Sequence, residues 1–187
     1  APDYLVAVRE LCDRYAVHWI ADEIAVGFGR TGTLFAHQQA RRADGTGVKP
    51  DFICLSKGLT GGVLPLSAVL TTDAVYAAFY DDRTAHGFLH SHSYTGNPLA
   101  CRAGLESIAI IEEENLLENA ARVGDHIQGR FQEQRKDMAI LGDVRGKGLM
   151  VGVELVNHRG EPLSVTEVKH IIKDLGAAGV VMTKCGQ

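Results

Sequence analysis

The sequence lacks an apolar run of the roughly 20 residues that a membrane-spanning helix needs. It also lacks any long block of one charge. The net charge is only −4, which removes the electrostatic case for nucleic acid or an anionic membrane as partner. Cysteine is scarce. Cys12, Cys54, Cys101 and Cys185 stand far apart and form no Cys-x-x-Cys pair, which argues against a disulfide framework or a zinc cluster. Reduced thiols in a cytoplasmic protein are the expectation. The opening residues, Ala1-Pro2-Asp3-Tyr4, have no basic region followed by an apolar core and do not read as a signal peptide. Internal repeats and low-complexity segments are missing too.

Glycine is abundant. Its 21 residues among 187 exceed the average share of about 7%, so tight turns and close backbone approaches are expected. An apolar fraction of 45% is enough for a buried core. Pro2-Asp3 starts a helix in which Leu5, Val8, Leu11, Cys12 and Tyr15 recur at helical spacing. Val17 to Ala21 reads as a strand, with Asp22-Glu23 at its end. Gly27 to Gly32 reads as a turn-rich loop, and so does the polar stretch Ala40 to Lys49. Asp51 to Ser56 is a second strand, with Lys57 just past its end. Leu66 to Leu70 is a third, followed by a helix near Ala74 to Tyr80. Long helices are expected over Leu99 to Glu113 and Leu116 to Arg135, broken at Glu114-Asn115. From Asp143 strands return, with Leu149 to Leu155 alternating with glycine, followed by a helix over Val165 to Ala178 and a last strand over Val180 to Met182. Strands alternating with helices predict an α/β fold with a mostly parallel sheet, and the tail predicts a smaller α+β unit.

Two residues at strand ends can carry chemistry. Ligands of open α/β sheets sit outside the carboxyl ends of the strands, which is where Asp22 and Lys57 are expected. A lysine amine condenses with an aldehyde to give a Schiff base. A carboxylate keeps a pyridinium nitrogen protonated, so that the ring draws electrons from a bound substrate. Most lysines, however, are solvated surface groups, and strand-end aspartates are often turn residues. Spacing alone leaves both readings open.

The surrounding motifs favour the chemical one. Asp22-Glu23-Ile24-Ala25-Val26-Gly27-Phe28-Gly29-Arg30-Thr31-Gly32 resembles the signature of class III aminotransferases of fold type I. Ser56-Lys57-Gly58-Leu59-Thr60-Gly61-Gly62, the run from His90 to Cys101 through Gly96-Asn97-Pro98, and Gly142 to Met150 are similar to further segments of that family. The resemblance extends over essentially the whole chain, in the right order. It implies part of the large cofactor-binding domain over residues 1–120 and an incomplete small domain over 121–187. The implied cofactor is pyridoxal 5′-phosphate, with Lys57 as its Schiff-base lysine and proton carrier and Asp22 on the pyridinium nitrogen. Ile24 would pack on the ring. Ser93 stands where the family has Thr on the cofactor phosphate of the neighbouring subunit, which implies a homodimer with shared sites. Ser91 and His92 would flank substrate and phosphate. Ala25 and the Asn97 to Cys101 run resemble the branch serving biotin synthesis. That branch uses S-adenosylmethionine or lysine as amino donor and 8-amino-7-oxononanoate as acceptor. Ornithine-, GABA- and diamine-type activity is the alternative, as is an inactive fragment. The family's N-terminal phosphate cradle and ring-stacking aromatic have no counterpart here, and no arginine for a substrate carboxylate occurs over Thr183 to Gln187.

Three other patterns need separating from this one. Gly27-x-Gly29-x-x-Gly32 followed by Asp51 has the form of a dinucleotide fingerprint. Asp22 and Glu23 are poorly placed beside a pyrophosphate, and Thr33 to Ala36 makes a weak helix start. His86, His90 and His92 have no acidic or cysteine ligand at metal-site spacing and read as polar loop residues. Arg30 reads as a tie within its loop rather than as a carboxylate clamp.

Overall fold

A computed structural model describes residues 2–184. The chain divides into two compact units, Ala1–Arg122 and Val123–Gln187. The reduced thiol expected at Cys185 lies outside the described residues, as does the end of the arginine-free stretch Thr183 to Gln187.

In the first unit, helix α1 (Pro2–Tyr15) carries Asp3 in its first turn and Arg14 in its last, matching the helix dipole. Ala16, in the left-handed conformation with φ 51°, stops it. Strand β1 (Ile20–Asp22) follows, shorter than the sequence pattern suggests. Its pairing with β2 (Phe52–Leu55) begins at Ile20, opposite Phe52, which leaves Val17 outside the ladder. β1 and β2 are parallel. β3 (Ala68–Thr71) joins β2 antiparallel, giving the order β1-β2-β3. The expected mostly parallel sheet is therefore mixed in this chain. The β2-to-β3 connection is a tight 3-10 turn and loop rather than a crossover helix, and a parallel return needs a crossover. Trp19, Ala21, Ala40 and Val48 form the core, with Leu5, Val6, Val8 and Cys12 of α1 packed against it.

Helix α2 (Asp73–Ala77) is capped by the Thr72 hydroxyl, which accepts from the Val75 amide. Helix α3 (Pro98–Glu113) begins with Asn97 Oδ1 accepting from the amides of Leu99 and Ala100, and Pro98 sits where its missing N–H is harmless. Asn115, at φ 52°, breaks α3 from α4 (Leu116–Gln134). The division between the two units falls within α4.

The second unit holds an antiparallel hairpin of β4 (Leu141–Lys147) and β5 (Met150–Leu155). Helix α5 (Val165–Ala177) follows, opened by a reciprocal cap between Ser164 and Glu167. Val180 to Met182 forms no strand. No neighbouring strand pairs with it among the described residues, the Val180 amide is taken by the Leu175 carbonyl closing α5, and Val181 is 92% exposed. No helix among the described residues is long and apolar enough to cross a membrane.

Candidate active site

Parallel pairing puts the carboxyl ends of β1 and β2 side by side. Asp22 is opposite Cys54, and the Glu23 amide extends the ladder to the Cys54 carbonyl at 3.0 Å. Lys57 lies three positions beyond that pair, at the start of the 3-10 turn Lys57–Thr60. Asp22 and Lys57 thus emerge at the same edge, as the sequence suggests, and both are exposed.

Strand alternation separates the two adjacent carboxylates. Asp22 faces outward, whereas Ala21 and Glu23 face the interior. Asp22 Oδ1 accepts the Ile24 amide at 3.0 Å, and its other oxygen has no donor among the described residues. Ile24, half-buried, opens the turn that follows.

Lys57 has φ 41°, a left-handed conformation disfavoured for a residue with a Cβ. The loop holds it there. The Ser56 hydroxyl donates to the Leu66 carbonyl at 2.8 Å, the Leu59 amide donates to the Ser56 carbonyl, and Gly61 closes the turn at φ 60°. From α3, the Ser107 hydroxyl donates to the Gly58 carbonyl at 3.1 Å. The two motif loops also touch: a Cβ on Gly58 would lie 2.8 Å from Phe28 Cβ. Only glycine permits that approach.

Glu23 is the residue that sequence reasoning missed. It is 2% exposed. Its Oε2 accepts the Ala36 amide and its Oε1 the His37 amide, both at 2.9 Å, and His37 Nδ1 lies 3.0 Å from Oε1. Burial pushes the carboxyl up, but the hydrogen bonds from the His37 side chain and the two amides outweigh it and hold Glu23 below the usual glutamate range. The sequence shows only an acidic residue and a histidine 14 positions apart.

Arg30 does not tie its loop. It is exposed, and its guanidinium makes no hydrogen bond among the described residues. The loop is held by the Gln39 side-chain amide, which donates to the Thr31 carbonyl and to the hydroxyls of Thr31 and Thr33 at 3.0–3.1 Å. A short polar amide reaching back across a turn suffices, so the arginine is left in solvent.

Asp51 has a structural task that removes the dinucleotide reading. It sits at the opposite end of β2 from Lys57, where it accepts from the Arg9 guanidinium at 2.8 Å and from the Trp19 amide at 2.7 Å. The glycine loop leads into turns and a 3-10 segment (Ala36–Gln39), not into an α-helix.

Ser91, His92 and Ser93 lie on the exposed turn before α3. His92 Nδ1 accepts the Tyr94 amide at 3.1 Å, and the His92 amide donates to the Thr95 hydroxyl at 3.0 Å. These bonds are local, and no hydrogen bond joins the three residues to Asp22 or Lys57 among the described residues. His86 is taken up by Asp81 at 3.1 Å.

An aldehyde-bearing, pyridinium-type group fits these donors. Among the described residues, Lys57 offers a free primary amine and Asp22 an unpaired carboxylate oxygen at neighbouring strand ends. The family profile "Aminotransferase class-III" matches residues 1–187, and the chain belongs to that pyridoxal-phosphate-dependent family. Among individual proteins, it is 46% identical over 169 residues to the adenosylmethionine-8-amino-7-oxononanoate aminotransferase of Aquifex aeolicus, covering 89% of this chain and 36% of that protein. The protein of the same description from Staphylococcus aureus is 39% identical over 186 residues, covering 96% of this chain and 39% of that one. Of solved structures, a Bacillus anthracis aminotransferase superposes with a TM-score of 0.90 at 36% identity over 97% of this chain and 40% of its own. An amine transaminase from an uncultivated Pseudomonas species, in its PLP-bound (internal aldimine) form, gives 0.88 at 36% identity over 99% of this chain and 41% of its own. The chain thus spans about two fifths of the length of these relatives.

Proposed function

We propose that this chain is the cofactor-anchoring part of an enzyme that transfers an amino group from S-adenosylmethionine or lysine to 8-amino-7-oxononanoate, giving 7,8-diaminononanoate for biotin synthesis. The observation that carries the transaminase reading is the emergence of Lys57 and Asp22 at adjacent carboxyl ends of β2 and β1. The substrate reading is supported by the adenosylmethionine-8-amino-7-oxononanoate aminotransferases to which the chain is 39–46% identical. Bound there, pyridoxal phosphate supplies an electron sink for the bond broken at the substrate's α-carbon. Lys57 Nζ anchors the cofactor and, once released, carries the proton between that carbon and the cofactor. Asp22 holds the proton on the ring nitrogen. Ile24 packs on the ring face, and Ser91, His92 and Ser93 serve substrate and phosphate.

We read the enzyme as a homodimer in which Ser93 serves the neighbouring subunit, and the second unit as the family's small domain. Support for the dimer comes from the exposed, aromatic-rich segment before α3, where Phe88 is 69% and Tyr80 76% exposed. A cytoplasmic setting fits the unpaired Cys12, Cys54 and Cys101. Amine-type specificity has its own support in the solved transaminase structures that superpose on this chain.

A half-reaction on the full-length protein tests the reading. Its visible cofactor band should bleach with S-adenosylmethionine or lysine. Bleaching with ornithine, GABA or simple amines alone would move the enzyme to another branch. A colourless protein that retains NAD would sink the transaminase reading.

A further inference from the structure

We propose that Glu23 and His37 act as a positioning pair for Asp22, setting the direction in which its carboxylate meets the ring nitrogen; this rests on the transaminase reading above. Asp22 is exposed, and its only side-chain hydrogen bond among the described residues comes from the amide of Ile24. Its aim therefore depends on the backbone at residues 23 and 24. Glu23 pins that backbone from three sides. Its amide continues the ladder onto Cys54, its carbonyl accepts the Gly27 amide at 2.8 Å, and its carboxylate holds Ala36 and His37 from across the loop. His37 is fixed in turn. Its ring stacks on Phe35 at 5.9 Å and meets Trp19 edge-on at 6.5 Å, so it presents Nδ1 to Glu23 from a packed wall. A carboxylate has only acceptor oxygens, so Nδ1 carries the hydrogen. A buried carboxylate with three donors and no contact to the reacting edge fits a support better than a reactant.

The test uses the full-length holoenzyme with Glu23→Gln, His37→Leu and His37→Asn. Glutamine brings an N–H₂ where donors already converge. Leucine removes the side-chain donor but leaves both backbone amides in place, and asparagine can restore a donor near the position of Nδ1. A loosened Asp22 holds the ring proton less well. The pyridoxal phosphate dissociation constant should then rise about tenfold in Glu23→Gln and less in His37→Leu. The pH midpoint of the visible band should also move upward, because a protonated ring disfavours a second proton on the Lys57 nitrogen. His37→Asn should restore both values. If Glu23→Gln does not fold, the two His37 variants decide. Wild-type affinity and midpoint in His37→Leu would overturn the pairing, as would lowered stability with an unmoved midpoint. A wild-type protein that binds no pyridoxal phosphate would instead overturn the reading beneath it.

Discussion

His37 Nδ1 lies 3.0 Å from Glu23 Oε1, both side chains buried, and the same oxygen accepts the His37 amide. One carboxylate so ties a residue 14 positions downstream onto the end of β1. Its acid dependence follows from linkage. The folded-state value of Glu23 is held below the ordinary 4.5, so the folded state binds its proton later than the unfolded chain does. The stabilisation is complete above that ordinary value and drains away as pH falls through the folded one. Thermal unfolding of wild type and Glu23→Gln should differ most near neutral pH, and the difference should shrink below about pH 4.5.

Lys57→Ala in the full-length protein removes the amine proposed to anchor the cofactor and move the proton. Turnover should fall at least about a thousandfold. Borohydride treatment followed by peptide mass mapping should mark Lys57 in the wild type and nothing in the variant.

Asp22→Asn keeps the size of the side chain and the contact with the Ile24 amide but loses the charge. Pairing with a protonated ring nitrogen weakens by about 1.5–3 kcal/mol, the range for charged hydrogen bonds, which is a ten- to hundredfold loss of cofactor affinity. Equilibrium dialysis against pyridoxal phosphate measures it.

Gly58→Ala places a Cβ 2.8 Å from Phe28 Cβ. The two motif loops must separate, at about 1–3 kcal/mol, and the cofactor should bind more weakly. Phe28→Gly removes that Cβ, and glycine accepts the φ of 56° at this position, so the double variant should recover part of the affinity lost in Gly58→Ala.

Asp51→Ala strips the Arg9 guanidinium and the Trp19 amide of a shared partner, leaving a buried arginine compensated only by Asp13 and the Lys49 carbonyl. Urea unfolding should show a loss of about 3 kcal/mol. The visible cofactor band should persist, because this residue lies at the far end of β2 from Lys57.

Local signals were enough for much of this. Asp22 and Lys57 follow short β-branched or aromatic runs, so their places at strand ends are readable from adjacent residues. Asn97-Pro98 and Asn115 punctuate helices through their own backbone preferences, and α3, α4 and α5 lie close to where helical spacing puts them. Val180 to Met182 shows the limit of such signals. Two valines and a methionine make a strand only with a partner edge, and none pairs with them among the described residues. The direction of β3 was hidden for a similar reason, because a run of apolar residues carries no record of the way its neighbour runs.

The sequence by itself determined which chemistry was available: an amine and a carboxylate at strand ends, within motifs of one family. Tertiary structure decided which groups would be free to use it. Asp22 and Glu23 are adjacent and chemically alike, yet the pleat turns one outward and buries the other beneath His37. Asp51, equally acidic, is consumed by Arg9 and Trp19. Residue type sets what a side chain can do, but only contacts between distant segments leave it exposed at the strand ends or bind it into the framework.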